Sequence, residues 1–159
     1  MLLWGIVVNM KLDKLYTDLI LQYNKDTTNK REISCPALSE QGHNASCGDD
    51  ITLQVKLKNG VIDDMAYTGT GCAISQASTA MMIELLAGRT VEDALRLVHL
   101  FRDMILGKVT DEKQLEELEA AVALKNISKL PVRVKCAVLG WHTLEVALEK
   151  ELKKQKAKE

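Results

Sequence analysis

The 159-residue sequence predicts an α+β fold, a small antiparallel sheet of about three strands packed against helices. Three observations predict it. Residues 51–57 alternate, with Ile51, Leu53, Val55 and Leu57 set against Thr52, Gln54 and Lys56, which is the period of a half-buried strand. Asn59-Gly60 follows, and these residues tolerate the positive φ that both positions of a type I′ hairpin turn require. Everything after Gly71 carries helical spacing, and the chain has only two prolines, Pro36 and Pro131, to interrupt it.

Taken in order, residues 11–24 place Leu12, Leu15, Leu19 and Tyr23 on one helical stripe, with Tyr16 and Ile20 beside it. Residues 24–32 are polar and read as a loop. From Ile33 to Gln41 the pattern is poor, and Pro36 confines any strand there to a sheet edge. The strand 51–57 is followed across the turn by a partner over 61–68, whose alternation Asp63 and Asp64 interrupt. A helix over 73–87 carries Ile74, Ala77, Met81 and Leu85, and Gly88 ends it in a left-handed conformation. Thr90 caps the next helix, with Asp93 at the capping-box position and Ala94, Val98, Phe101 and Ile105 as its stripe, and Gly107 stops it. Residues 111–125 form a helix carrying Leu115, Leu118 and Val122. Pro131 suits the first turn of a last helix running to about 152. The segment 150–159 holds five lysines and two glutamates. It reads as a frayed helix end whose cations suit the helix dipole.

Composition narrows the function. Lys and Arg total 21 against 22 Asp and Glu, a net charge of -1, which gives no electrostatic basis for general nucleic-acid binding. Aromatic residues make up 4%, too few for a stacking platform on single strands. The apolar start, MLLWGIVVNM, has no basic residue before it, is too short to span a bilayer, and has no small-x-small cleavage site after it. Residues 1–9 therefore read as an extension, with Met10 a rival start. The domain is expected over 10–150, with residues 151–159 a Lys-rich tail. A cytoplasmic setting with reduced thiols follows.

Four cysteines remain to be explained, Cys35, Cys47, Cys72 and Cys136. A disulfide framework, a metal site and buried filler are the possible uses. Cys47 lies in NASCGD, just before the first clear strand. Cys72 lies in GTGC, where the second strand meets a helix. A thiol at a helix N-terminus faces the positive end of the dipole, which favours thiolate. Cys136 lies in PVRVKC, where Arg133 and Lys135 are expected to favour thiolate as well. In an antiparallel pair the start of one strand lies beside the end of the other, so Cys47, Asp49 and Cys72 should cluster. A third thiolate from the last helix would complete a site of three sulfurs and one oxygen, which suits zinc or an iron–sulfur centre. The spacing, 24 and then 63 intervening residues, is not that of a zinc ribbon. Cys72 and Cys136 also read as small buried residues, and Cys35 reads as a bystander. Asp50 rivals Asp49. His43 reads as an exposed loop residue, His99 as a residue bordering an apolar stripe and His142 as structural. Asn44-Ala45-Ser46 matches a glycosylation sequon without meaning in a cytoplasmic chain.

The strings NASCGD, GTGCAISQASTAMM and LPVRVKCAVLGWHTLEVAL resemble, in order, the three motif blocks of the NifU/IscU-like scaffold family, over about Met10 to Glu149. Within it the chain resembles the SufU branch. Lys135 stands where IscU-type members have a histidine, LPVRVK replaces their LPPVK motif, and residues 107–130 are similar to the insertion that marks SufU. The chain departs from the family at Ala45, where a proline is usual, and at Gln22 to Asp26, where His-Tyr-x-x-Pro is usual. Gln76 is a harmless variation. The resemblance implies a SufE/NifU-like fold and a zinc site of Cys47, Asp49, Cys72 and Cys136, with Cys47 accepting sulfur. It implies a SufS-like cysteine desulfurase as partner, with Arg133 supporting that interface, and downstream iron–sulfur scaffold proteins as further partners. No nucleic acid and no membrane are expected. The activity implied is that of a sulfurtransferase-type carrier rather than a conventional turnover enzyme. Two alternatives stand beside it: a scaffold holding an iron–sulfur cluster on Cys47, Cys72 and Cys136, with iron in place of zinc, and a structural zinc module that only binds a partner.

Overall fold

The computed structural model describes residues 16–158. The expected extension 1–9, Met10, Leu12 and Leu15 lie outside them. Residues 16–25 are helical (α1), burying Ile20 and half-burying Tyr16, Leu19 and Tyr23. The polar stretch that follows is pinned along the sheet. The Tyr67 amide donates to the Asn29 carbonyl and the Arg31 amide to the Tyr67 carbonyl, both at 3.0 Å.

The sheet has the expected three strands in the order β1-β2-β3, both pairs antiparallel: β1 Leu38–Asn44, β2 Asp49–Lys58 and β3 Val61–Thr70. The edge strand β1 begins just past Pro36, since proline has no N–H for the ladder. Asn59 and Gly60 have φ of 53° and 76°, the type I′ requirement. Ile51, Leu53 and Val55 are fully buried on the helix-covered face. Asp64, which interrupts the pattern of β3, takes two hydrogen bonds from Arg31 at 2.7 and 3.0 Å.

Helix α2 spans Ala73–Leu86 and α3 spans Val91–Ile105. Gly88 follows α2 at φ 88°, and the Thr90 hydroxyl caps α3 by accepting the Asp93 amide at 3.1 Å. Asp93 does not close a capping box. Its carboxylate is drawn instead to Arg89 at 2.9 Å and Arg96 at 2.8 Å, stronger partners than a backbone amide.

The single helix expected over 111–125 is not formed. A four-residue α4, Glu112–Leu115, passes into a 3₁₀ segment, Glu116–Lys129, broken at Glu119 where φ is 51°. The buried residues explain this. Leu115, Leu118, Ala121, Leu124 and Ile127 recur every third position, which is the 3₁₀ period rather than 3.6. Ala121 takes the inward place expected of Val122, which is half-buried.

Helix α5, Pro131–Ala157, has proline in its first turn and outruns its expected end near 152. The Lys-rich segment is thus helical through Ala157, with Lys154 and Lys156 against the negative end of the dipole. Two glycines set the depth at which α5 packs. A Cβ on Gly42 of β1 would lie 2.0 Å from Thr143 Oγ1, and one on Gly140 would lie 2.5 Å from Thr79 Oγ1. Trp141 stacks on Phe101 with centroids 3.9 Å apart, and its indole N–H donates to Ser78 Oγ at 2.9 Å. No helix among the described residues is long and apolar enough to cross a membrane.

Helix α1 is tied to α2 through Tyr23. Burial, a hydrogen bond to Glu84 and the charges of Glu84, Glu119 and Asp26 push its phenol up to about 12. A raised folded-state value stabilises the fold below the ordinary phenol range and is lost as pH rises. The thermal midpoint of the parent should therefore fall more steeply between about pH 10 and 12 than that of Tyr23→Phe. Parallel melting curves check this, and equal slopes would remove Tyr23 from the tie.

Candidate metal centre

The site is built at one end of the sheet. Asn44 ends β1 and Asp49 begins β2, and the two are paired across the ladder. Ala45 to Gly48 turn between them, with Gly48 at φ 68° and the Cys47 amide donating to the Asn44 carbonyl at 3.3 Å. Asp50 pairs with Thr70, which brings the end of β3 beside the start of β2 as the hairpin geometry predicts. Two glycines make the close approach possible. At Gly69, φ is 112° and a Cβ would lie 2.1 Å from the Asp50 carbonyl oxygen. At Gly71 it would lie 2.3 Å from Ser75 Oγ and 3.0 Å from Asp49 Oδ1. Gln76 steadies the same turn by donating to the Gly71 carbonyl at 2.6 Å while accepting from Lys30 Nζ at 3.0 Å.

Cys72 is the N-cap of α2, and its sulfur accepts the Ser75 amide at 3.4 Å. Cys136, on the second turn of α5, is 2% exposed, and its Sγ lies 2.9 Å from that of Cys47. Asp49 is fully buried. Its Oδ1 accepts the Cys72 amide at 2.7 Å and its Oδ2 the Asn44 side-chain amide at 3.4 Å.

One ligand atom each from Cys47, Asp49 and Cys136 lie within 4.8 Å of one another. The Cys72 sulfur stands just outside this trio. It lines the same cavity as Cys47 and Cys136. Asp50 is not a rival ligand, because the pleat turns it to the other face, where it accepts from Gln41 at 2.8 Å. His43, His99 and His142 are exposed, and Cys35 is exposed beyond the far end of β1. His99 lies 3.5 Å from Glu145, which also pairs with Arg102.

The electrostatics correct one expectation. Burial pushes the Cys136 thiol far above its ordinary value, and bonding to Cys47 and Cys72 and the charges of Cys72 and Asp49 add to the rise. Arg133 and Lys135, both exposed, are not among the groups that act most strongly on it. Arg133 does line the cavity over the cysteines, about 460 Å³ in volume, whose walls are otherwise largely apolar: Ile20, Leu21, Ile74 and Val132.

The donor set fits a metal ion. Among the described residues no cationic side chain pairs with the buried Asp49 carboxylate. An unpaired buried charge is costly, and a cation among these thiols and this carboxylate supplies what is missing. Sulfur and carboxylate donors suit zinc or iron. Asn44 is the supporting residue that its motif hid. Its buried amide reaches Asp49 and, at 3.8 Å, the Cys136 sulfur. The signal was the alternation of β1, in which Leu38, Gly42 and Asn44 all face inward.

A three-stranded sheet covered by helices, with thiols and a carboxylate gathered where strands and helix ends converge, defines a small α+β protein with a sulfur-rich candidate metal site. The family model for the NifU-like N terminal domain matches residues 15–129, and the chain belongs to that family. The chain is 38% identical over 144 residues to the zinc-dependent sulfurtransferase SufU of Bacillus subtilis, covering 90% of this chain and 95% of that one. It is 37% identical over 141 residues to the iron-sulfur cluster assembly scaffold protein IscU of Thermotoga maritima, covering 89% and 97%. The crystal structure of a putative iron-sulfur cluster assembly scaffold protein for the SUF system from Fervidobacterium islandicum superposes with a TM-score of 0.77 at 39% identity, covering 82% of this chain and 93% of that one.

Proposed function

We propose that this protein serves iron–sulfur cluster assembly by accepting sulfur at Cys47 from a persulfide on a cysteine desulfurase, with Cys47, Asp49, Cys72 and Cys136 holding zinc. The observation that carries this reading is the fully buried Asp49 carboxylate set among thiols without a cationic partner. Its relatives named as SufU and IscU support the same process. Zinc, when bound, holds its cysteine ligands as thiolates while masking them from other reagents.

The settings of the three cysteines favour Cys47 as the acceptor. Cys136 is buried on α5, and Cys72 is fixed at the cap of α2. All three line the cavity, and Cys47 alone of them sits on a turn, half-buried and held by no helix. Its thiolate attacks the outer sulfur of the desulfurase persulfide. The bond between the two persulfide sulfurs breaks, the inner sulfur leaves as the desulfurase thiolate, and Cys47 carries the new persulfide. No oxidant or reductant is consumed. Arg133 in the cavity wall offsets the negative charge that arrives.

The test is intact-mass measurement after incubation with a cysteine desulfurase and cysteine. The parent should gain one sulfur, and Cys47→Ala should gain none at a comparable rate. Equal gain by Cys47→Ala would sink the assignment. The same donors suit an iron–sulfur cluster, the scaffold reading that the IscU relatives favour. Metal analysis of freshly purified protein separates the two, zinc supporting the carrier and iron with sulfide the scaffold. A purely structural zinc module predicts that Cys47 stays unreactive to alkylation even beside the desulfurase.

A further inference from the structure

We propose that the Tyr16 hydroxyl is the hydrogen-bond donor for the sulfur carried on Cys47, so that the cavity over the cysteines is built to bind a perthiolate and not only to admit a partner. This inference rests on the sulfur-acceptor reading given above. Tyr16 and Cys47 line the same cavity; the Tyr16 ring also borders two clefts beside Asn126, and the charges that reach its phenol, Arg133 and Cys72, are both on the cysteine side. The Tyr16 hydroxyl oxygen is buried and has no hydrogen-bond partner among the described residues. Buried hydroxyls are ordinarily satisfied, because an unpaired one forfeits its bonds to water. An orphan of this kind in the wall of a site marks a donor whose acceptor is a ligand.

The surroundings specify the ligand. Most of the wall is apolar, and the ionisable groups whose influence reaches the Tyr16 phenol are Arg133 and Cys72, both lining the cavity. A cation and a neutral O–H donor in an apolar chamber suit a soft, singly charged anion. A persulfide on Cys47 places its outer sulfur about 2 Å beyond the thiol sulfur, on a residue that lines this cavity. Burial raises the phenol above its ordinary value, so at neutral pH the hydroxyl keeps its proton and donates. Phenylalanine at this position would fill the same space without the donor.

The measurement is the equilibrium distribution of sulfur between a cysteine desulfurase and this protein, read by intact mass for the parent, Tyr16→Phe and Cys47→Ala. Losing a hydrogen bond to a charged acceptor should shift the distribution about tenfold toward the desulfurase in Tyr16→Phe. The same variant should bind zinc with unchanged stoichiometry, and its urea midpoint should be equal to or higher than the parent's, because an unsatisfied buried hydroxyl has been removed. A distribution equal to the parent's overturns the proposal. A lowered midpoint or lost zinc also overturns it, since the hydroxyl would then be structural. Sulfur on the parent but equally on Cys47→Ala overturns the acceptor reading by itself, and no sulfur on the parent overturns both.

Discussion

Replacing Asp49 with asparagine is expected to weaken zinc binding by about 100-fold or more, the top of the range seen when even an outer partner of a metal ligand is lost. Asparagine keeps the shape and can still accept the Cys72 amide, which now reaches Oδ1 at 2.7 Å. It removes the charge, and it turns a donor toward the Asn44 amide, which now donates to Oδ2 at 3.4 Å. The sign of the stability change should depend on the metal. Without metal the variant no longer buries an unpaired carboxylate and should be at least as stable as the parent. With saturating zinc it should lose about 2.7 kcal/mol of metal-linked stabilisation for a 100-fold loss of affinity. Competition against a chromophoric chelator, with melting curves in zinc and in chelator, reads both. Unchanged competition would show that Asp49 is not a ligand.

Gly42→Ala is expected to cost about 1–3 kcal/mol, the usual penalty for forcing a methyl into a filled core, and to loosen the metal site with it. The added Cβ would lie 2.0 Å from Thr143 Oγ1 and 3.3 Å from Leu139 Cδ1, both on α5. The Thr143 hydroxyl is itself tied to the Leu139 carbonyl at 2.7 Å and cannot swing away without losing that bond. The helix must then shift off β1. Cys136 rides on the same helix and Asn44 on the same strand, so the sulfur-to-carboxylate geometry shifts too. Thr143→Ala should relieve part of the cost. The double variant is expected to be more stable than the sum of the two single losses predicts, which a urea-denaturation cycle measures. Strict additivity would place the strain elsewhere.

The alternating residues of β2 and the Asn59-Gly60 turn made the hairpin legible, and the hairpin in turn placed Cys47, Asp49 and Cys72 together. Strand geometry is local, so the pattern carries it. Gly71 was legible as the point where helical spacing begins but not as the gap that leaves room for Asp49. Two readings failed because a three-dimensional neighbour competed with a local rule. Asp93 left its capping-box role for two arginines. Cys136, flanked by Arg133 and Lys135 in sequence, answers to burial and to neighbouring thiols and a carboxylate that sequence distance conceals. The 3₁₀ segment was a misread period. The spacing of three from Leu115 to Ile127 was present, but an isolated run of this length rarely holds that form without a core to pack on.

By itself the sequence determined the sheet, its turn, the order of the helices, the four candidate ligands and the family that their motifs resemble, because each is written in contiguous residues. Only the tertiary structure decided which carboxylate faces the sulfurs, which of the three cysteines is the most buried, and that Asn44 and Tyr16 lie beside them. Those depend on how deeply α5 seats against Gly42 and on how α1 closes over the cysteines. They are contacts between segments far apart in the chain, fixed by packing rather than by any local pattern.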